Sequence, residues 1–85
     1  MELSEAVRTA SRYLPEAFPD SAGLDLRLEG AEKSNDEQYW WVTLSYPRQG
    51  ERMEPFYREY RTLKLRDADG ALLGARNGTF LPDAA

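Results

Sequence analysis

The chain of 85 residues contains no histidine and no cysteine. That removes the usual general base near neutral pH, the usual soft nucleophile, and any disulfide. Its serines, Ser4, Ser11, Ser21, Ser34 and Ser45, lie in neither a G-x-S-x-G elbow nor an S-x-x-K pattern. Two close carboxylate pairs remain, Asp36/Glu37 and Asp67/Asp69. Acid–base work needs surroundings that push two pKa values apart, and a solvated turn does not supply them. The run Asp67-Ala68-Asp69-Gly70 superficially has the look of a calcium loop. Yet Leu72 stands at the sixth position, where such a loop needs glycine, and Gly78 stands at the twelfth, where it needs glutamate. An Asp-Gly hairpin turn accounts for the same residues without a metal. No phosphate-binding glycine motif occurs. The expectation is a chain with no catalytic residues, no metal and no cofactor.

The chemistry that remains is that of contact. QYWWVTLSY, residues 38–46, is the strongest strand signal in the chain. With Trp40 turned inward, Tyr39 and Trp41 face outward. Tyr60 on a following strand shares the outward parity with Lys64, and Arg58 and Arg66 lie beside them. Tyr39, Trp41, Tyr60, Arg58, Lys64 and Arg66 are therefore the candidate partner-binding residues, since Tyr, Trp and Arg are the types enriched in binding hot spots. Two blander readings compete with this one. The loop at 47–56 or the tail residues Phe80 and Leu81 would fold over the patch, or the aromatics would only pair across strands to stabilise the sheet.

Charge narrows the class of partner. The net charge is −4, from 11 basic and 15 acidic residues, which argues against a general nucleic-acid binder. The distribution is uneven, with six basic and three acidic side chains in residues 48–66. Such a strip would steer an acidic protein partner, or else protect a strand edge from unwanted pairing. No apolar run approaches the roughly 20 residues that cross a bilayer. The first residues lack the basic flank and apolar stretch of a signal peptide. A cytoplasmic chain without a membrane partner is expected.

The elements that must position these residues follow from periodicity. Leu3, Val7, Ala10 and Leu14 recur at helical spacing, with Ser4 as N-cap, so a helix is expected over 3–14, ending before Pro15. Phe18, in the connector after it, would plug one end of the core. Leu24, Leu26 and Leu28 alternate with charged residues and predict a strand over 24–32. Further strands are expected at 38–46, 57–66 and 71–77, with turns near Ser34–Asp36, at Asp67–Gly70 and at Asn77-Gly78. In the third strand Glu59 and Arg61 share the inward parity of Leu63 and Leu65, so that end of the strand must overhang the core. Short links between consecutive strands require antiparallel pairing. The fold expected is α+β: one N-terminal helix packed on a four-stranded antiparallel β-meander, in two layers and one domain over residues 1–85.

YWWVTLSYPR followed by REYRTLKLRDADGALLGAR resembles a group of small, largely uncharacterised bacterial proteins with the same helix-first layout. The arrangement is also similar to PepSY-type domains, where a helix packs on a small antiparallel sheet closed by a D-x-x-G-like hairpin. The resemblance implies an interaction or inhibitory role and carries no catalytic residues with it. Both lines lead to a non-catalytic protein-interaction or regulatory module that binds a protein partner or a second copy of itself. The alternative is a small-ligand-binding domain with a pocket between helix and sheet near Phe18, Trp40 and Tyr57.

Overall fold

The helical period at the start of the chain closes into α1, Leu3–Ala17, in the computed structural model, which describes residues 1–48 and 58–78. A short 3-10 turn, Pro19–Ser21, leads to β1 (Arg27–Lys33), β2 (Tyr39–Pro47), β3 (Arg58–Arg66) and β4 (Leu72–Asn77). The strands pair in the order β1-β2-β3-β4, every neighbour antiparallel. This is the expected α+β arrangement of one helix on a four-stranded meander. Tyr57, Phe80 and Leu81 lie outside the described residues, as does most of the 47–56 loop.

Three details of the helix differ from the sequence reading. It runs through Pro15 instead of stopping at Leu14. Proline here forfeits only the bond to the Ser11 carbonyl, while the next turn still closes through Phe18 N–H donating to Leu14 O at 2.7 Å. Holding that turn keeps Leu14 fully buried, a side chain whose burial contributes about 2 kcal/mol. The N-cap is Glu2 rather than Ser4, and it makes no side-chain capping bond. Leu3 is 51% exposed, and the buried stripe is Ala6, Thr9, Ala10 and Leu14. Two alanines at the contact let the helix approach a sheet that carries the bulk itself, in Trp40, Leu44, Tyr46, Leu63 and Leu65.

β2 and β3 alternate as expected. Trp40, Val42, Leu44 and Tyr46 meet the helix together with Leu63 and Leu65, and all are buried. β1 does not. The strand begins at Arg27, so Leu24 and Leu26 precede it and pack against the core from the connector. Leu28 remains 46% exposed. A bulge between Leu28 and Gly30 breaks the two-residue rhythm there. Phe18 packs against the core at one end, as the sequence implied.

The turns follow their residue types. Gly70 adopts φ +74 and its N–H donates to Arg66 O at 2.7 Å, closing the Asp67–Gly70 hairpin. The β1–β2 turn is built on Ser34, whose hydroxyl donates to Asp36 Oδ1 at 2.6 Å. Its geometry forces Glu37 to φ +61, a conformation that costs a non-glycine residue on the order of 1 kcal/mol. Glu37→Gly is therefore expected to raise unfolding free energy by about 0.5–1 kcal/mol in chemical denaturation. An unchanged or lowered midpoint would remove backbone strain from the account of this turn.

Candidate functional site

The register of β2 against β3 sets the outer face in rows: Tyr39 opposite Arg66, Trp41 opposite Lys64, Thr43 opposite Thr62, Ser45 opposite Tyr60, Pro47 opposite Arg58. α1 covers the other face. The first two rows form one cluster. The Lys64 ammonium sits 4.3 Å from the centroid of the Tyr39 ring and 5.1 Å from that of Trp41. Both rings are half-buried, so each keeps part of its surface open. Arg66 is exposed at the margin and pairs with Asp69 at 3.2 Å. A cleft of about 240 Å³ adjoins this end of the face, lined by Tyr39 and Arg66 with Glu37, Gln38, Asp67 and Ala68.

Tyr60 and Arg58 lie at the other end of the same face. Tyr60 is 37% exposed. Arg58 is tied into the fold: its Nε donates to Ser45 Oγ at 2.8 Å, and Nη2 donates to the carbonyls of Ser45 and Asp25. Between the two ends lie Thr43 and Thr62, both buried, with their hydroxyls 2.9 Å apart. Thr62 Oγ1 also donates to Gly78 O at 2.9 Å. The structure thus brings Tyr39, Trp41, Lys64 and Arg66 together and sets Tyr60 and Arg58 apart from them.

The basic strip of residues 48–66 does not protect an edge. Its main carrier, β3, is an inner strand between β2 and β4. Arg61 does not overhang the core either. Its guanidinium lies 4.9 Å from the Phe18 centroid and 5.6 Å from that of Tyr46, with Nη1 3.3 Å from Glu59 Oε2. Its Nε is buried and has no hydrogen-bond partner among the described residues, a cost of about 1–3 kcal/mol that the two ring contacts partly offset.

Of the pocket foreseen near Phe18, Trp40 and Tyr57, Tyr57 lies outside the described residues, and Phe18 and Trp40 stand at opposite ends of the core. Phe18 stacks beside Arg61, which pairs with Leu44, whereas Trp40 pairs with Leu65 four residues away along β2, roughly 13 Å at strand rise. Buried Val42, Leu44 and Leu63 fill the space between. A second cleft of about 300 Å³ opens between α1 and the Asp67–Gly70 turn, lined by Glu5, Thr9, Arg12 and Tyr13 among others.

The residue that the sequence reading left as a mere turn former is Asp67. Its Oδ1 accepts from the N-terminal ammonium at 2.8 Å and from Trp40 Nε1 at 2.8 Å, with Lys33 Nζ at 3.5 Å. The signal that could have found it is Trp40 itself, because an inward indole needs an acceptor for its N–H. The hydrogen bond from the ammonium, then that from the indole, hold the Asp67 carboxyl down at about 2. At the opposite end Tyr46 donates to Asp20 Oδ2 at 2.9 Å, and burial with that bond pushes the phenol up to about 12. Among the described residues no group of three or more acidic side chains is gathered as metal ligands would be. No described helix is long and apolar enough to cross a membrane.

Comparison of the chain with protein-family models, with curated proteins and with solved structures finds no match in any of the three.

Asp67 gives the fold an acid limit. Its folded pKa of about 2 lies below the ~3.9 of an unfolded aspartate. The unfolded chain therefore binds the proton more readily, and the stabilisation is complete above pH ~4 and lost as pH falls through ~2. Asp67→Asn is expected to be less stable at neutral pH and to show a shallower decline between pH ~4 and ~2 than the parent chain. Parallel stability–pH curves for the two would show that Asp67 does not carry this dependence.

Proposed function

We propose that this chain is a non-catalytic interaction module, regulatory or inhibitory in role, that takes a protein partner on the outer face of its sheet. The contact centres on Tyr39, Trp41 and Lys64, with Arg66 at its margin. The observation that carries this reading is the Lys64 ammonium held against two half-open aromatic rings on the face that the helix leaves alone. Rings and cation together supply flat apolar area and a directed charge, the combination enriched where binding energy concentrates. The cation is already positioned by its rings, so less side-chain entropy is lost when a partner carboxylate or carbonyl meets it. Tyr60 and Arg58, at the far end of the face, act as a second and weaker contact. The resemblance of the layout to PepSY-type domains points to the same class of role.

The absence of histidine and cysteine supports the non-catalytic part of the reading. A small-ligand role is the second reading, and the cleft beside Tyr39 and Arg66 is the feature that favours it.

The test is capture from a lysate of the source cells with the full chain as bait, followed by titration of the purified partner. Trp41→Ala and Lys64→Glu are each expected to weaken that partner at least about tenfold, the scale of a hot-spot truncation, with the far-UV circular dichroism unchanged. A partner that binds both folded variants as tightly as the parent chain rules this face out. Saturable quenching of tryptophan fluorescence by a metabolite, with no protein captured, would favour the small-ligand reading.

A further inference from the structure

The β1 edge borders the aromatic face, where Glu32 stands opposite Trp41, and it has a property that β4 lacks. Residues 27–30 and Glu32 are exposed along β1, Leu28 at 46%. The bulge inserts Glu29 between Leu28, opposite Leu44, and Gly30, opposite Thr43. Leu44 and Val42 face the helix, so Leu28 and Ala31 are on that side. Arg27, opposite Ser45, and Glu32, opposite Trp41, are on the outer side. Glu29 and Gly30 are both on the outer side as well, since Glu29 accepts a hydrogen bond from the outward Ser45 hydroxyl. Read along the strand, the faces are outer, inner, outer, outer, inner, outer. That order is symmetric about the Glu29–Gly30 peptide.

Antiparallel strands place residues of the same face opposite one another. A second copy laid antiparallel along β1 with Glu29 opposite Gly30 meets a matching face at all six positions. A slip of one or two residues destroys the match. In the matching register Leu28 faces Ala31 of the second copy, and Arg27 faces its Glu32. Each pair forms twice, once on either side of the two-fold axis. The charges are thus self-complementary at both ends and the apolar pair at both inner positions. A Cβ built on Gly30 meets nothing within 4 Å, so there is room beside it for the Glu29 side chain of the other copy. Glu29 accepts from the Ser45 hydroxyl, which in turn accepts from the Arg58 guanidinium.

We infer that β1 pairs with β1 of a second copy in this register, extending the meander into one continuous sheet with both helices on the same side. The surface is distinct from the aromatic face, and the inference stands or falls apart from the function proposed above. Charged residues and bulges ordinarily blunt a sheet edge; here the same devices complement themselves and select one register. β4 also carries a register shift, at Leu73, but its sequence LLGARN holds no acidic residue, so a second copy of β4 brings no opposite-charge pair to the seam. Edge pairing satisfies the outward N–H and C=O groups of β1 and covers Leu28.

Sedimentation equilibrium of the full chain over the micromolar range tests the inference, with Arg27→Glu, Glu32→Arg and the double variant alongside the parent. The parent is expected to approach two-chain mass. Each single reversal sets like charges opposite one another at two places and is expected to weaken association about tenfold. The double variant restores both pairs with their signs exchanged and is expected to recover the parental affinity. Leu28→Lys, at an exposed position, should weaken association independently, and Lys64→Glu, on the inner strand β3, should leave it unchanged. One-chain mass throughout overturns the inference, as do single reversals without effect or a double variant no better than the singles. Dissociation by Lys64→Glu alone would place the second copy on the aromatic face and overturn it equally.

Discussion

One helix must cover a four-stranded sheet, and it is too narrow to do so. A helix with its side chains is roughly 10–12 Å across, whereas four strands at about 4.8 Å spacing present nearly twice that width. The two inner strands take the cover. β2 and β3 bury Trp40, Val42, Leu44, Tyr46, Leu63 and Leu65, while the edge strands leave Leu28 and Leu73 partly open. The alanines at positions 6 and 10 follow from the same constraint. With so little width available, the helix gains most by sitting close, and small residues at the contact allow large ones on the sheet. Leu24 and Leu26, arriving from the connector, supplement the helix as extra cover.

The two ends of this narrow core are closed by charged groups together with the apolar bodies of Met1 and Phe18. At one end the Asp67 carboxylate gathers the N-terminal ammonium, the Trp40 indole and the Lys33 ammonium. At the other, Arg61 lies across Phe18 and Tyr46 while Tyr46 donates to Asp20. Each plug uses an aromatic residue with a polar tip, which can be buried along its body and hydrogen-bonded at its rim. The arrangement suits a small domain that hides only about 60% of the surface its unfolded chain exposes. Such a domain cannot supply enough apolar side chains to seal every side of its core.

Much of this was legible in the residues. The unbroken alternation of Trp40, Val42, Leu44 and Tyr46 gives the face of every residue in β2, and short links such as the Asp67–Gly70 turn give the strand order. What failed did so where a single residue changes the phase. Pro15 should end a helix, but packing of Leu14 outweighs one missing bond. Glu29 is an extra residue in β1 that no local pattern marks, and the leucine alternation reaches back to Leu24 although the strand begins only at Arg27, with Leu24 and Leu26 partly buried from the connector. Of the candidate contact residues, parity assigned all six to one face, yet parity says nothing of separation along a strand. Tyr60 and Lys64 share a face and are still four residues apart. Arg58 is one of those candidates, and its hydrogen bonds to Ser45 and to the Asp25 carbonyl depend on tertiary neighbours that spacing cannot reveal.

The paired threonines in the middle of the outer face have a direction. A hydroxyl carries one proton, and that of Thr62 is spent on the Gly78 carbonyl, an oxygen that can only accept. The proton between the two hydroxyls must then come from Thr43. Two chemically identical side chains, facing each other in register, are therefore unequal: one is a terminal giver and the other a relay. Removing the hydroxyl of the relay strands a partner on either side of it, whereas removing that of the giver deprives only one.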